Sequence, residues 1–244
     1  MTSHVRVGCA GWSIPKEVKD RFPAEGSHLA RYARVFPAVE INSSFYRYHE
    51  PATYERWARE TPPGFRFSLK APREVTHFRR LARPKGPLER FLDGARRLGK
   101  KLGPVLVQLP PSLAFDRPRA SRFFRTLRSL HEGPVACEPR HPSWFCEDAA
   151  RILVDFEVAR AAADPACVEE AARPGGSRKL VYHRLHGSPQ MYHSPYSECF
   201  LQSLAERILQ LPKTAQVWCI FDNTAAGAAF PNGLRLIEGL GKGR

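Results

Sequence analysis

No two of the six cysteines, at 9, 137, 146, 167, 199 and 219, form a C-x-x-C pair, which removes the usual thiolate framework for zinc or redox exchange. Cys9, Cys137 and Cys219 fall inside apolar runs, where a reduced thiol serves as a small hydrophobe. No apolar stretch approaches the roughly 20 residues that cross a bilayer, so no membrane association is expected. Met1-Thr2-Ser3-His4 leads into the first apolar run without a charged segment and long apolar stretch, and the expected location is cytoplasmic. Gly8-Cys9-Ala10-Gly11-Trp12 lacks the G-x-G-x-x-G spacing that cradles a dinucleotide. No internal repeat, low-complexity tract or long linker divides the chain. Its 244 residues are read as one domain, 1–244, and the 43% hydrophobic content suffices for one large core.

What is present is regular. Eight short β-type runs recur, at Val5 to Ala10, Ala38 to Ile41, Arg66 to Leu69, Pro104 to Val107, Pro134 to Cys137, Val158 to Ala163, Leu180 to Leu185 and Gln216 to Phe221. Between them lie helical patterns: one behind Ser27, one opening at Pro51, one from Leu88 to Leu102, and one behind Asp116. Further helices are read at Glu147 to Phe156, briefly near Ala166 to Ala172, at Glu198 to Gln210 behind Ser197, and at Ala225 to Gly239. Strict alternation implies a parallel sheet, and eight units imply an α/β fold of the single (β/α)8 TIM type, with an open doubly wound sheet as the rival. In such a barrel the active-site face is at the C-terminal ends of the strands.

The net charge of +14 is concentrated. Residues 66–128 hold 17 Lys and Arg against 4 Asp and Glu, whereas the segments before and after are near balance. Arg119, Arg122, Arg125 and Arg128 fall on the helix face opposite Phe123 and Phe124. The preceding helix carries Arg90, Arg96, Arg97, Lys100 and Lys101. Such a stripe can draw in nucleic acid or another polyanion, or serve merely as two solvated helix faces.

Nearly every strand run ends on an ionisable or amide group. Side chains alternate along a strand, so Glu40 shares a face with Asn42, Ser68 with Lys70, Glu138 with Arg140, and Arg184 with His186. If these faces point to the barrel axis, the mouth holds the carboxylates Glu40, Glu138 and Asp164, the cations Lys70, Arg140 and Arg184, and an imidazole. Charges buried there must pair with one another or with a ligand. Glu40, Glu138, Asp164, Lys70 and His186 are the catalytic candidates, with Glu40 and Glu138 as acid and base. Trp12, Asn42, Tyr46, His77, Gln108, Arg140, His141, Arg184, Tyr196, Asp222 and Asn223 are candidates for holding substrate, the arginines by clamping an anionic group. No cofactor is expected. A divalent ion on Glu138, Asp164, His186 and Asp222 is the weaker alternative, since helical H-x-x-x-H spacing is missing. The stretch from Gly187 to Tyr196 reads as a lid.

Seven strings, Gly8 to Trp12, "VEINSSFY" at 39–46, "FRFSLKAPREVTH" at 65–77, "LGPVLVQLPPS" at 102–112, "EPRHPSW" at 138–144, "YHRLHG" at 182–187 with Tyr196, and "FDNTAAGAA" at 221–229, resemble the DUF72 or YecE-like family, in order along essentially the whole chain. The resemblance implies a TIM-type barrel with these motifs on its βα face, in a family without an established function. It also implies Asn-Asn where this chain has Asp222-Asn223. Together the residues lead to an enzyme acting on a small anionic or sugar-like substrate, such as a sugar phosphate or nucleic-acid fragment. A nucleic-acid-binding protein or a small-ligand sensor is the alternative, and oligomeric state is left open.

Overall fold

The computed structural model describes residues 4–242. Its strands are β1 (Val5–Cys9), β2 (Ala38–Ile41), β3 (Arg66–Lys70), β4 (Leu102–Gln108), β5 (Val135–Glu138), β6 (Val158–Arg160), β7 (Ala162–Asp164), β8 (Gly175–Gly176), β9 (Leu180–Leu185) and β10 (Gln216–Phe221). The helices are α1 (His28–Ala33), α2 (Pro51–Glu60), α3 (Lys85–Ala95), α4 (Arg117–Leu130), α5 (Glu147–Asp155), α6 (Glu198–Leu209) and α7 (Ala229–Lys242). Three start where a capping side chain supplies an acceptor for an otherwise unpaired amide. Ser27 Oγ accepts from Ala30 N, Asp116 Oδ1 from Arg119 N and Ser197 Oγ from Phe200 N. Pro51 opens α2, where no amide hydrogen is needed.

The strands form two mostly parallel sheets, in the orders β1-β10-β9-β7 and β2-β3-β4-β5-β6-β8. They meet at two seams. At one, Ala10 bridges Glu40 in parallel sense. At the other, the sixth apolar run is shared: β6 pairs with β5, β7 pairs with β9, and Ala161 between them donates its N–H to Cys137 O. Inside, alternate residues of both sheets pack together, among them Ala38, Leu106, Ala136, Ala159, Tyr182, Trp218 and Ile220. A larger apolar cluster fills the layer between strands and helices. The small side chains of the inner cluster leave room for the polar layer above it.

Gly8 shows how close the first seam is, since a Cβ there would sit 2.2 Å from Ala38 O. Gly8→Ala must therefore push β1 off β2. Thermal denaturation should show a loss of about 1–3 kcal/mol, the usual range for an overpacked interior; an unchanged melt would contradict the close seam.

Two sequence expectations change. The helix expected near 166–172 is a single 3-10 turn, Glu169–Ala172, followed by β8, which pairs antiparallel with β6. Asp164-Pro165 and Pro174 leave too short a stretch for a helix between β7 and β9. The last helix begins at Ala229, not Ala225, and runs to Lys242. The basic stripe lies on α3, α4 and the turn between α3 and β4, but most of its cations have local partners. Arg90 stacks on Tyr48, Arg96 binds Asp93 and Leu130 O, Arg97 faces Glu55, and Arg119 faces Asp116. Lys101 and Arg128 donate to backbone carbonyls. Among the described residues no helix is long and apolar enough to cross a membrane.

Candidate active site

Alternation along β9 places Tyr182 and Arg184 on one inner face, and the chain continues to His186. Tyr182, Arg184 and Glu40 have essentially no solvent exposure. Arg184 Nε donates to Glu40 Oε2 at 3.0 Å and Nη2 to Glu40 Oε1 at 2.7 Å, a bidentate pair between the two sheets. Its Nη1 donates to Glu138 Oε2 at 2.9 Å, and Nη2 also reaches Asp222 Oδ2 at 3.0 Å. One guanidinium thus joins the ends of β2, β5 and β10. Tyr182 donates to Glu40 Oε2 at 2.9 Å, with Ser68 Oγ 2.7 Å behind it.

His186 spans the next level, with Nδ1 3.0 Å from Asp222 Oδ2 and Nε2 3.0 Å from Glu138 Oε1. Arg140 Nη2 also lies 3.2 Å from His186 Nε2. Arg140 Nε donates to Glu138 Oε1 at 2.8 Å and Nη1 to the Tyr192 hydroxyl at 3.2 Å. Burial alone would raise the Glu138 pKa, but Arg184, His186 and Arg140 outweigh it and hold the carboxyl well below the usual range. Asp222 is lowered in the same way, against its burial, by Arg184, His186 and Lys70. Arg184 in turn is held charged by Glu40, Asp222 and Glu138 against its own desolvation.

Among the described residues, five of the six carboxylate oxygens of Glu40, Glu138 and Asp222 accept hydrogen bonds from this network. The sixth, Asp222 Oδ1, has no such partner. Lys70, at the end of β3, is 6% exposed, and among the described residues its Nζ has no hydrogen bond or ion pair, while its carbonyl accepts from Ser44 Oγ. Its Nζ lies 4.1 Å from the centre of the Phe45 ring. Burial, with Arg184 adding to it, lowers the Lys70 pKa to about 8. Burial, then Lys70 and Arg140, lower the pKa of His77, whose ring meets the same Phe45 edge to face at 4.9 Å.

The structure therefore gathers Glu40, Glu138, Arg140, Arg184, His186 and Asp222 directly, with Lys70 and His77 at their border. Other candidates lie apart from this network. Tyr196 donates to Asp164 Oδ1 at 2.9 Å and accepts from Gly187 N, so this pair pins the 187–196 loop. Asn223 Nδ2 ties the same loop through Ser194 O. His141 Nδ1 accepts from Ser143 N and caps a turn. Gln108 Nε2 donates to Leu109 O, although Gln108 is in register with Glu138. Trp12 packs edge to face on Trp57, and Tyr46 is 60% exposed beside Arg73. Asn42 Oδ1 is buried and unpartnered among the described residues. Sequence reasoning passed over Tyr182, although extending the Arg184 and His186 alternation back by two residues finds it.

A cleft of about 330 Å³ opens beside Glu138, Arg140 and His186, with Pro165, Cys167 and Met191 on its far wall. Among the described residues no group of three or more His, Cys, Asp or Glu is arranged to hold a metal ion. The arginines occupy the lone pairs that a cation would use, and Asp164 is turned to Tyr196.

Comparison with known proteins follows this geometry. The chain is 24% identical to UPF0759 protein YunF of Bacillus subtilis, over 96% of this chain and 94% of that protein. UPF0759 protein YecE of Escherichia coli is 29% identical over 59% of this chain and 51% of its own length. A crystal structure of a DUF72 family protein from Thermotoga maritima superposes with a TM-score of 0.79 at 26% identity, covering 97% of this chain and 99% of the other. The fold is also similar to that of the 3-keto-D-glucoside 4-epimerase YcjR of Escherichia coli, with a TM-score of 0.58 at 14% identity over 97% and 98% of the two chains. The family model described as "Protein of unknown function DUF72" matches residues 6–244, and the chain belongs to that family.

Proposed function

We propose that the two sheets close as one (β/α)8 barrel and that the protein is an enzyme using acid/base chemistry on a small, anionic, sugar-like substrate at the barrel mouth. The observation that carries this reading is that, among the described residues, Asp222 Oδ1 is open while the other five carboxylate oxygens of Glu40, Glu138 and Asp222 accept hydrogen bonds. An ion-pair cluster built only for stability gives no reason for a carboxylate oxygen at the edge of the network to stay open near Lys70.

The roles follow from access. Arg140, the less buried arginine of the network with 20% of its side chain exposed, takes the substrate's phosphate or carboxylate through its fork. Asp222 Oδ1 removes and returns a substrate proton. His186 holds Asp222 from the other oxygen and is a positioning residue. Glu40 and Glu138, read from the sequence as acid and base, fix Arg184 and His186 and leave the proton transfer to Asp222. The same general fold carries a sugar epimerase in the neighbour described above, which is in keeping with chemistry of this kind on a polyhydroxylated ligand.

Phosphorus NMR titration with 2-hydroxyethyl phosphate tests the anion site. Arg140→Ala should weaken binding about tenfold or more, since a charge-assisted hydrogen bond contributes roughly 1.5–3 kcal/mol. Equal binding by the variant would contradict the assignment.

A further inference from the structure

Lys70 is the group whose surroundings a purely electrostatic role explains least. A buried ammonium normally takes a carboxylate partner. Glu40, Asp222 and Glu138 are close enough to act on Lys70, yet the acceptor oxygens nearest the network's centre are given to Arg184, Arg140 and His186. The Lys70 donors instead face an aromatic ring. A ring face stabilises an ammonium less than a buried carboxylate partner does. This environment favours the neutral amine, the form that attacks carbon.

We propose that Lys70 is a covalent catalyst that forms an imine with an anionic aldehyde or ketone, so that the substrate class of this mouth is a small carbonyl compound bearing a phosphate or carboxylate. The inference rests on the reading of the mouth as an anion-binding active site. In the first step the Nζ lone pair forms a C–N bond to the carbonyl carbon. The carbonyl π pair moves to oxygen, which takes up a proton, and nitrogen loses one. In the second step that hydroxyl takes up one further proton from solvent and the nitrogen lone pair expels it as one water molecule, leaving a positively charged iminium. No oxidant or reductant is consumed. The iminium places its positive charge at the nitrogen that lies over the Phe45 ring. It also draws electrons from the adjacent carbon, whose proton Asp222 Oδ1 accepts.

The pKa of about 8 supports the same role. At pH 7 it makes the neutral fraction of Lys70 roughly 300-fold larger than that of an ordinary lysine.

The experiment treats the whole protein with glycolaldehyde phosphate and sodium cyanoborohydride, which delivers hydride to an iminium, and maps the modified lysines by peptide mass spectrometry. Lys70 should be alkylated at least about tenfold faster than any other lysine. Labelling should be blocked by 2-hydroxyethyl phosphate, which has the phosphate but no carbonyl. Lys70→Met should lose the fast adduct while retaining its circular dichroism spectrum. Lys70→Arg keeps the charge without the nucleophile and serves if the methionine variant does not fold. Labelling spread over exposed lysines with no preference for Lys70 would overturn the proposal. If 2-hydroxyethyl phosphate still binds through Arg140 in that case, the imine chemistry fails and the anion site stands. If Lys70 is labelled fast and 2-hydroxyethyl phosphate neither binds nor protects, the anion site fails instead.

Discussion

Arg184→Met is expected to lower the unfolding free energy by about 5 kcal/mol or more, enough to leave a domain of ordinary stability largely unfolded. Among the described residues Arg184 alone bonds Glu40, Glu138 and Asp222 together, and all four side chains are buried. Breaking a buried pair by removing one partner costs about 3–5 kcal/mol, because the remaining charge stays desolvated. Here three carboxylates lose a partner. Glu138 and Asp222 keep His186, whereas among the described residues Glu40 keeps one hydrogen-bond donor, Tyr182. Methionine fills the volume, so the loss is electrostatic and not one of packing. The defect should shrink in acid, where the stranded carboxyls take up protons and become neutral. Urea unfolding at pH 7 and pH 5 measures both effects. A variant within about 1 kcal/mol of wild type at pH 7 would show that the carboxylates have other sufficient partners.

Glu138→Gln should have the next largest effect, a loss of about 3 kcal/mol near neutral pH. Glu138 accepts from Arg184, Arg140 and His186. An amide offers one acceptor where the carboxylate offers two, and its NH2 faces cations. The pH dependence is specific. The folded-state pKa of Glu138 is depressed, so its contribution is fully present above the unfolded value near 4.5 and is lost as pH falls through the folded value. Wild-type stability should therefore fall below about pH 4.5 with a steeper slope than that of Glu138→Gln, by up to one proton. Parallel acid limbs would mean that the carboxyl titrates alike in both states.

Much of this site was legible because a strand has period two. Spacing alone puts Glu40 on one face with Asn42, Glu138 with Arg140, and Arg184 with His186, and each of these pairs lies at or just past the C-terminal end of its strand. The long-range pairing was less legible. Spacing could not assign Arg184 to three carboxylates rather than one, since that depends on how the two sheets meet at Gly8 and Ala161. Loop geometry was out of reach: Asp164 turns to Tyr196, and Tyr192 comes back to Arg140, because a chain reversal between 187 and 196 brings them there. The basic stripe was counted correctly, but counting cannot see that Arg128 donates to four backbone carbonyls.

A double-mutant cycle between Glu40→Gln and Arg184→Met probes most directly whether charges from both sheets act as one buried unit. A coupling energy of about 2 kcal/mol or more, from urea unfolding of the four proteins, is the predicted result, since residues in one hydrogen-bonded network are strongly non-additive. Additivity within about 0.5 kcal/mol would contradict the unit and the site built on it.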